Sequence, residues 1–409
     1  MVKNLIYIGY DNYDELNNKI LIPNGFSSLE EYQNLSYQKD NFGDIFSCYH
    51  WNYSEEIFIR KNIKNISEDD KYIYPFQFLF GTKFSQYNPS ELFFQIPNNV
   101  LNDLKNKRAV LLLDVSFEGF STFDSINLFK KFNQIIDYYS LPKKSIFLLN
   151  GNFKNEKINI NHLRISLWES LHSSNISNFQ LDQIKNNIKN KEIKKFKCSC
   201  LNRLNRNHRS YLAYLLYDDI IKHGNCIYTM SNDFKNRIYI KDGNQDKINE
   251  ISNSLPWKYD IDNSNIYDPS LNWDINIDIH LNSYFHIITE TLVEENSIFF
   301  SEKTFKPIKM MQPFILVSSC GSLNKLKEFG YQTFPELFNE EYDLIEDTNK
   351  RIEFISNEIK RVYSFSKEEL SEILFNMVDK LEFNSVLYKK RGQINVLKTI
   401  LEEIKSKWD

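Results

Sequence analysis

Residues 298–317 read IFFSEKTFKPIKMMQPFILV: an apolar run (Ile298, Phe299, Phe300), a polar opening at Ser301 with a helical segment behind it, and a second apolar run (Phe314, Ile315, Leu316, Val317). Two short strands joined by a helix form a parallel unit, because a parallel partner requires a crossover. The segment Ser301-Glu302-Lys303-Thr304-Phe305-Lys306-Pro307 stands at the helix start, where free backbone N–H groups and the helix dipole favour anions. A phosphorylated ligand fits such a position. Glu302 can accept hydrogen bonds from ribose hydroxyls, while Lys303 or Lys306 neutralises a diphosphate. The plainer reading makes Ser301 a helix cap followed by a solvated Glu and Lys. The two readings use the same free N–H groups and are compatible.

Moving outward, Asn202-Arg203-Leu204-Asn205-Arg206-Asn207-His208-Arg209 follows a strand and opens a helix. Arginine presents a planar fork of donors that matches phosphate, and α/β folds hold ligands at the carboxyl ends of their strands. The alternative is a solvated basic turn, with His208 as a hydrogen bonder at a helix start. Thr289 and Glu290 close a further strand and can hydrogen-bond a ribose or a base; His286, within that strand, can stack or donate at the cleft, with a packed structural residue as the alternative. In the first half, Asp114-Val115-Ser116-Phe117-Glu118-Gly119 ends the most hydrophobic run. Glu118 is the candidate general base and Asp114 a second catalytic carboxylate; capping or a core ion pair is the alternative for both.

Strands are expected at Leu5–Ile8, Asp44–Cys48, Val110–Val115 and Ile146–Leu149, then at Cys226–Thr229, Ser283–Ile288 and Phe314–Val317. Continuous apolar runs of this kind suit parallel strands buried on both faces. A helix is expected from Arg209 to Lys222. Leu181, Ile184, Ile188 and Ile193 recur at helical spacing in a lysine-rich stretch. After Tyr342 the pattern is helical to the end. The reading is α/β, with two Rossmann-like domains facing a cleft and a helical C-terminal tail: an acceptor-side domain over 1–174, an interdomain helix over 175–194, a nucleotide-sugar domain over 195–345 and helices over 346–409.

Composition excludes several classes. Apolar residues make up 42% of the 409 and aromatic residues 15%, which is a folded protein and not a disordered one. A net charge of −4 draws the chain to neither nucleic acid nor anionic membrane as a whole. No apolar stretch reaches the ~18–20 residues that cross a bilayer. Five cysteines without paired spacing indicate neither zinc nor a disulfide framework, and a cytoplasmic location is expected. Phosphate loop, GxGxxG, HExxH and GxSxG motifs are missing. Asp260-Ile261-Asp262 is a DxD triplet in an Asp/Asn-rich loop, where chance matches are common; no metal ligand is assigned.

In the order of these features the chain resembles the two-domain, GT-B-type glycosyltransferases, and within them the α1,3-fucosyltransferase-like group. It also looks like a set of uncharacterised viral and bacterial proteins that pair an Asn-Arg-x-x-Arg-x-His-Arg segment (Asn202 through Arg209) with Ser-Glu-Lys-Thr-Phe-Lys-Pro (Ser301 through Pro307). The resemblance implies Glu118 as base, one or more of Arg203, Arg206 and Arg209 together with Lys303 on the diphosphate, and Glu302 on the ribose. Phe305-Lys306-Pro307 departs from the fucosyltransferase pattern, which leaves the sugar open. The implied activity is transfer of a hexosyl or pentosyl group from a nucleotide-diphosphate sugar, acting as co-substrate, to an acceptor hydroxyl on a glycan, a lipid-linked or another molecule, without a metal or cofactor. A non-catalytic nucleotide- or phosphoglycan-binding module and a nucleic-acid glycosyltransferase are the alternatives.

Overall fold

The computed structural model describes residues 6–10, 58–77, 98–116, 133, 136–154, 160–166, 168–169, 178–203, 205–231, 240, 243–258, 275–293, 297–393 and 396–408. The chain divides into two compact units, 1–167 with 395–409, and 168–394.

The first unit is a parallel sheet of β1 (Ile6–Tyr10), β2 (Phe58–Asn62), β3 (Tyr72–Gln77), β4 (Ala109–Val115), β5 (Ile146–Asn150) and β6 (Asn161–Arg164), in the order β2-β1-β3-β4-β5-β6. Helix α1 (Asn98–Lys105) lays Val100, Leu101 and Leu104 against Ala109, Leu111 and Leu113 of β4. Helical spacing thus meets the two-residue period of a strand. The terminal helix Val396–Trp408 belongs to this unit: Ile400, Leu401 and Ile404 are buried, and the Trp408 indole donates to the Lys107 carbonyl at 3.1 Å.

The second unit carries α2 (Asn178–Lys189), β7 (Phe196–Leu201), α3 (Asn207–Leu216), β8 (Cys226–Thr229), α4 (Gln245–Ser254), α5 (Ile277–Leu281), β9 (Ser283–Thr289), α6 (Glu302–Lys309), β10 (Phe314–Val317), α7 (Ser322–Glu328), α8 (Thr348–Tyr363), α9 (Lys367–Asn376) and α10 (Val378–Gln393). Its parallel sheet runs β10-β9-β7-β8. Every residue of β9 is buried, as a strand covered on both faces requires. In both sheets the second strand flanks the first on one side and the third lies on the other. The chain therefore reverses its winding direction beside β7. Right-handed crossovers then send α3 and α6 to opposite faces, and their packing partners differ accordingly: α8 for α3, α10 for α6.

Several expectations are corrected. Ile298, Phe299 and Phe300 are buried but form no strand; they fill the core through their side chains, without a ladder. The helix expected over 209–222 ends at Leu216, and a short 3-10 turn (Ile221–His223) stops at Gly224, whose φ of 73° is left-handed. The expected interdomain helix is α2, which packs on α9 and α10 of its own unit, with Lys185 paired to Glu382 at 2.5 Å. The helical tail is shared, α8–α10 in the second unit and the terminal helix in the first. The Asp44–Cys48 strand lies outside the described residues. No helix among the described residues is long and apolar enough to cross a membrane.

Candidate anion site at the carboxyl ends of β7 and β9

Where an open parallel sheet reverses its winding, the two loops leaving the central strands splay to opposite faces and a crevice opens at the carboxyl ends. Here those strands are β7 and β9. Asn202, the residue after β7, ties three strand ends together. Its N–H donates to the Thr229 hydroxyl at the end of β8 (2.9 Å), its Nδ2 donates to Cys200 Sγ (3.3 Å), and its Oδ1 accepts from the Thr289 hydroxyl of β9 (2.5 Å). Asn202 and Thr289, expected to touch the ligand, are therefore engaged by the protein itself and fix the floor of the crevice.

The turn that follows carries the cations. Arg206 is the N-cap of α3 and makes no side-chain capping bond; Asn205 Oδ1 instead accepts from the Ser210 hydroxyl at 2.6 Å. His208 and Arg209 lie buried in the first helical turn. His208 Nε2 donates to the Glu290 carbonyl at 2.9 Å, which fixes the tautomer because a carbonyl can only accept. Arg209 Nη2 donates to the carbonyls of Thr289 (3.1 Å) and Glu290 (3.4 Å). The first turn of α3 is thus bolted to the backbone at the end of β9.

Helix N-termini favour anions, yet this one gathers arginines. The electrostatic consequence falls on the groups themselves. Burial, then the neighbouring Arg206, lowers Arg209 to about 10. Burial, then Arg209, with Arg206 and Lys303 adding to it, lowers His208 to about 3 and keeps it neutral. Among the described residues no acidic side chain forms an ion pair with Arg206, a surplus of positive charge that a bound anion would relieve.

The start of α6 faces the same crevice. Glu290 is wholly buried, and its carboxylate accepts four bonds: from Ser301 N (3.0 Å) and the Thr304 hydroxyl (2.5 Å) on Oε1, and from the Ser301 hydroxyl (2.6 Å) and Thr291 N (3.2 Å) on Oε2. Glu290, Ser301 and Thr304 therefore form a closed cap that sets where α6 begins. Glu302 and Lys303 stand beyond it, Lys303 Nζ donating to Glu302 Oε1 at 2.9 Å and to the Ser301 hydroxyl at 3.2 Å. Burial pushes the Glu302 carboxyl up, but Lys303 and Lys306 outweigh it and hold it at about 2. It is an acceptor-only carboxylate at neutral pH. The charges of Glu302 and Lys303 reach Arg209 and His208 respectively, so the Asn202–Arg209 and Ser301–Lys306 segments converge.

Within that convergence Arg203, Arg206, Lys303 and Lys306 are partly exposed at the rim and Glu302 is buried beneath Lys303, whereas Asn202, His208, Arg209, Thr289, Glu290, Ser301 and Thr304 hold the scaffold. Asp114 lies in β4 of the first unit, one residue before its end, and Glu118, Asp260 and Asp262 lie outside the described residues. His286 donates or accepts at the Ser199 hydroxyl (2.8 Å) inside the core, away from the rim.

One residue of this architecture escaped sequence reading. Arg351 at the start of α8 is 1% exposed and donates to the carbonyls of Ser318 (2.9 Å), Ile345 (2.5 Å), Glu346 (2.8 Å) and Val293 (2.8 Å), and to the Thr348 hydroxyl (3.2 Å). It stitches the segments leaving β9 and β10. Its only sequence signal is a cation next to the apolar stripe Ile352, Ile355, Ile359. A similar hidden cap is Asp343, which accepts from Leu323 N and Asn324 N and closes the start of α7.

Compared with protein-family models, with curated proteins and with solved structures, the chain finds no match in any of the three.

Proposed function

We propose that the second unit binds the diphosphate of a nucleotide-activated sugar at the carboxyl ends of β7 and β9, and that the protein is a glycosyltransferase of the two-domain, GT-B kind. The observation that carries this reading is the convergence of two cationic segments, remote in sequence, on one sheet crevice, with no acidic side chain paired to Arg206 among the described residues. Arg206 and Lys303 are the principal diphosphate donors, Arg203 and Lys306 flank them, and Glu302 accepts from the ribose hydroxyls. Fixed cations that meet charge as it develops on the leaving diphosphate lower the barrier to its departure. The acceptor hydroxyl loses its proton to a carboxylate, for which Glu118 is the candidate on sequence grounds.

The test is release of nucleoside diphosphate from a panel of nucleotide sugars, with and without sugar acceptors, beside a thermal-shift screen of the same compounds. A ligand that binds only the folded state raises the melting temperature. The reading expects at least one nucleotide sugar both to stabilise the protein and to be turned over, with Glu118→Gln abolishing turnover and sparing stabilisation. Stabilisation by nucleotides without any turnover would make the protein a binding module instead.

A further inference from the structure

Cys198 in β7 and Cys226 in β8 are register partners in adjacent parallel strands, and both are free thiols. Adjacent strands run about 4.8 Å apart, inside the Cα separation of about 4.4–6.8 Å that a disulfide spans. Cys226 lies close enough to push the Cys198 thiol up. Cys226 S–H points to the Ile220 carbonyl at 3.8 Å.

The two residues differ in exposure. Cys198 is 1% exposed, whereas Cys226 is partly exposed on β8, the outer strand of this sheet among the described residues. The third thiol of the cluster is excluded from the pair: Cys200 is register partner to Tyr228, accepts from Asn202 Nδ2, and is pushed up to about 12 by burial. Its own strand neighbour, Cys198, lies two residues along β7, about 6.6 Å away at the strand rise. A partly exposed cysteine paired in register with one buried resolving cysteine is the arrangement that exchange with a small disulfide requires.

We infer that Cys198 and Cys226 are a reversible modification site, forming an intramolecular disulfide with a low-molecular-weight disulfide such as oxidised glutathione as co-reactant. The Cys226 thiolate attacks one glutathione sulfur, forming a mixed disulfide and expelling the first glutathione thiolate. Cys198 then loses its proton and attacks Cys226 Sγ, forming the protein disulfide and expelling the second. The protein gives up two electrons and two protons, and the oxidant is reduced to two thiols.

The test incubates the folded full-length protein with oxidised glutathione, quenches with acid, and maps unreduced peptides by mass spectrometry. The expected dominant product is a linked pair of peptides containing Cys198 and Cys226, lighter by two hydrogen atoms and separated by dithiothreitol. Cys198→Ser is expected to stop at the first step and accumulate glutathione on Cys226. Stable glutathione on Cys226 of the unsubstituted protein without linkage, no reaction at either residue, or linkage chiefly through Cys48, Cys200 or Cys320 would each overturn the inference; the unsubstituted protein alone decides it if the variant fails to fold.

Discussion

The Thr289 hydroxyl donates to the Asn202 side-chain carbonyl at 2.5 Å, and with that single bond the carboxyl ends of β9 and β7 are locked at the point where the sheet reverses its winding. Both residues are buried. Thr289→Val preserves shape and removes the donor, leaving a buried acceptor unsatisfied. The expected cost is about 1–3 kcal/mol of unfolding free energy, read from urea denaturation; an unchanged midpoint would show that the bond does not hold the strands.

Arg206 sets binding against stability. Its guanidinium lies at the positive end of α3, next to Arg209, without an acidic partner among the described residues. Arg206→Ala is expected to raise stability slightly, by about 0.3–1 kcal/mol at low ionic strength, and to weaken diphosphate binding. A melting curve at low and high salt separates the effects, since the gain in stability should shrink as salt screens the repulsion.

Acid should weaken the fold in two stages. His208 is lowered from 6.5 to about 3 and His280 to about 4, each chiefly by burial, and His286 is lowered in the same direction. A histidine with a depressed folded value takes up a proton more readily when unfolded. Its contribution is complete above about pH 6.5 and declines as pH falls towards the folded value. Glu302, lowered from 4.5 to about 2, adds a later decline below pH 4.5. Urea midpoints should therefore fall from about pH 6.5 downward, and Glu302→Gln should flatten only the lower part of the curve. A midpoint constant between neutral pH and 4.5 would contradict the burial of the histidines.

Arg351 is expected to be the most sensitive position away from the crevice. Truncation to Ala leaves the carbonyls of Val293, Ser318, Ile345 and Glu346 without their shared donor, at a cost of about 3 kcal/mol or more. Lys should not rescue it, because a single ammonium cannot reproduce a planar fork. Thermal unfolding of both variants checks this, and near-normal behaviour of Arg351→Lys would sink it.

How much could be read in advance follows from where each signal resides. β4, β5, β9 and β10 were legible because strands buried on both faces are continuous apolar runs. β2 (Phe-Ile-Arg-Lys-Asn) and β6 (Asn-His-Leu-Arg) were not: they flank the first sheet among the described residues, carry polar side chains, and offer no alternation to detect. β3 hid behind Pro75, a residue that argues against a central strand; it lies beyond the last β1–β3 pair, Ile8 with Ile73, and so costs that ladder no bond. Ile298–Phe300 misled in the other direction, since apolar composition reports burial and not ladder pairing. In the site, the cations at two helix starts stood out because arginine forks and lysines that follow strand ends match phosphate. The closed cap around Glu290 and the clamp of Arg351 did not, because their partners are backbone groups and hydroxyls brought in by the tertiary fold.

The most direct measurement is calorimetric titration of a nucleoside diphosphate, beside the parent nucleoside, into the protein and into the Arg206→Ala/Lys303→Ala double variant at fixed salt. The diphosphate is expected to bind, the nucleoside to bind far more weakly, and the double variant to lose tenfold or more in affinity, about 1.4 kcal/mol or beyond. Equal affinity of the protein and the double variant for the diphosphate, or no binding by either, would contradict the claim that the crevice at β7 and β9 is an anion site.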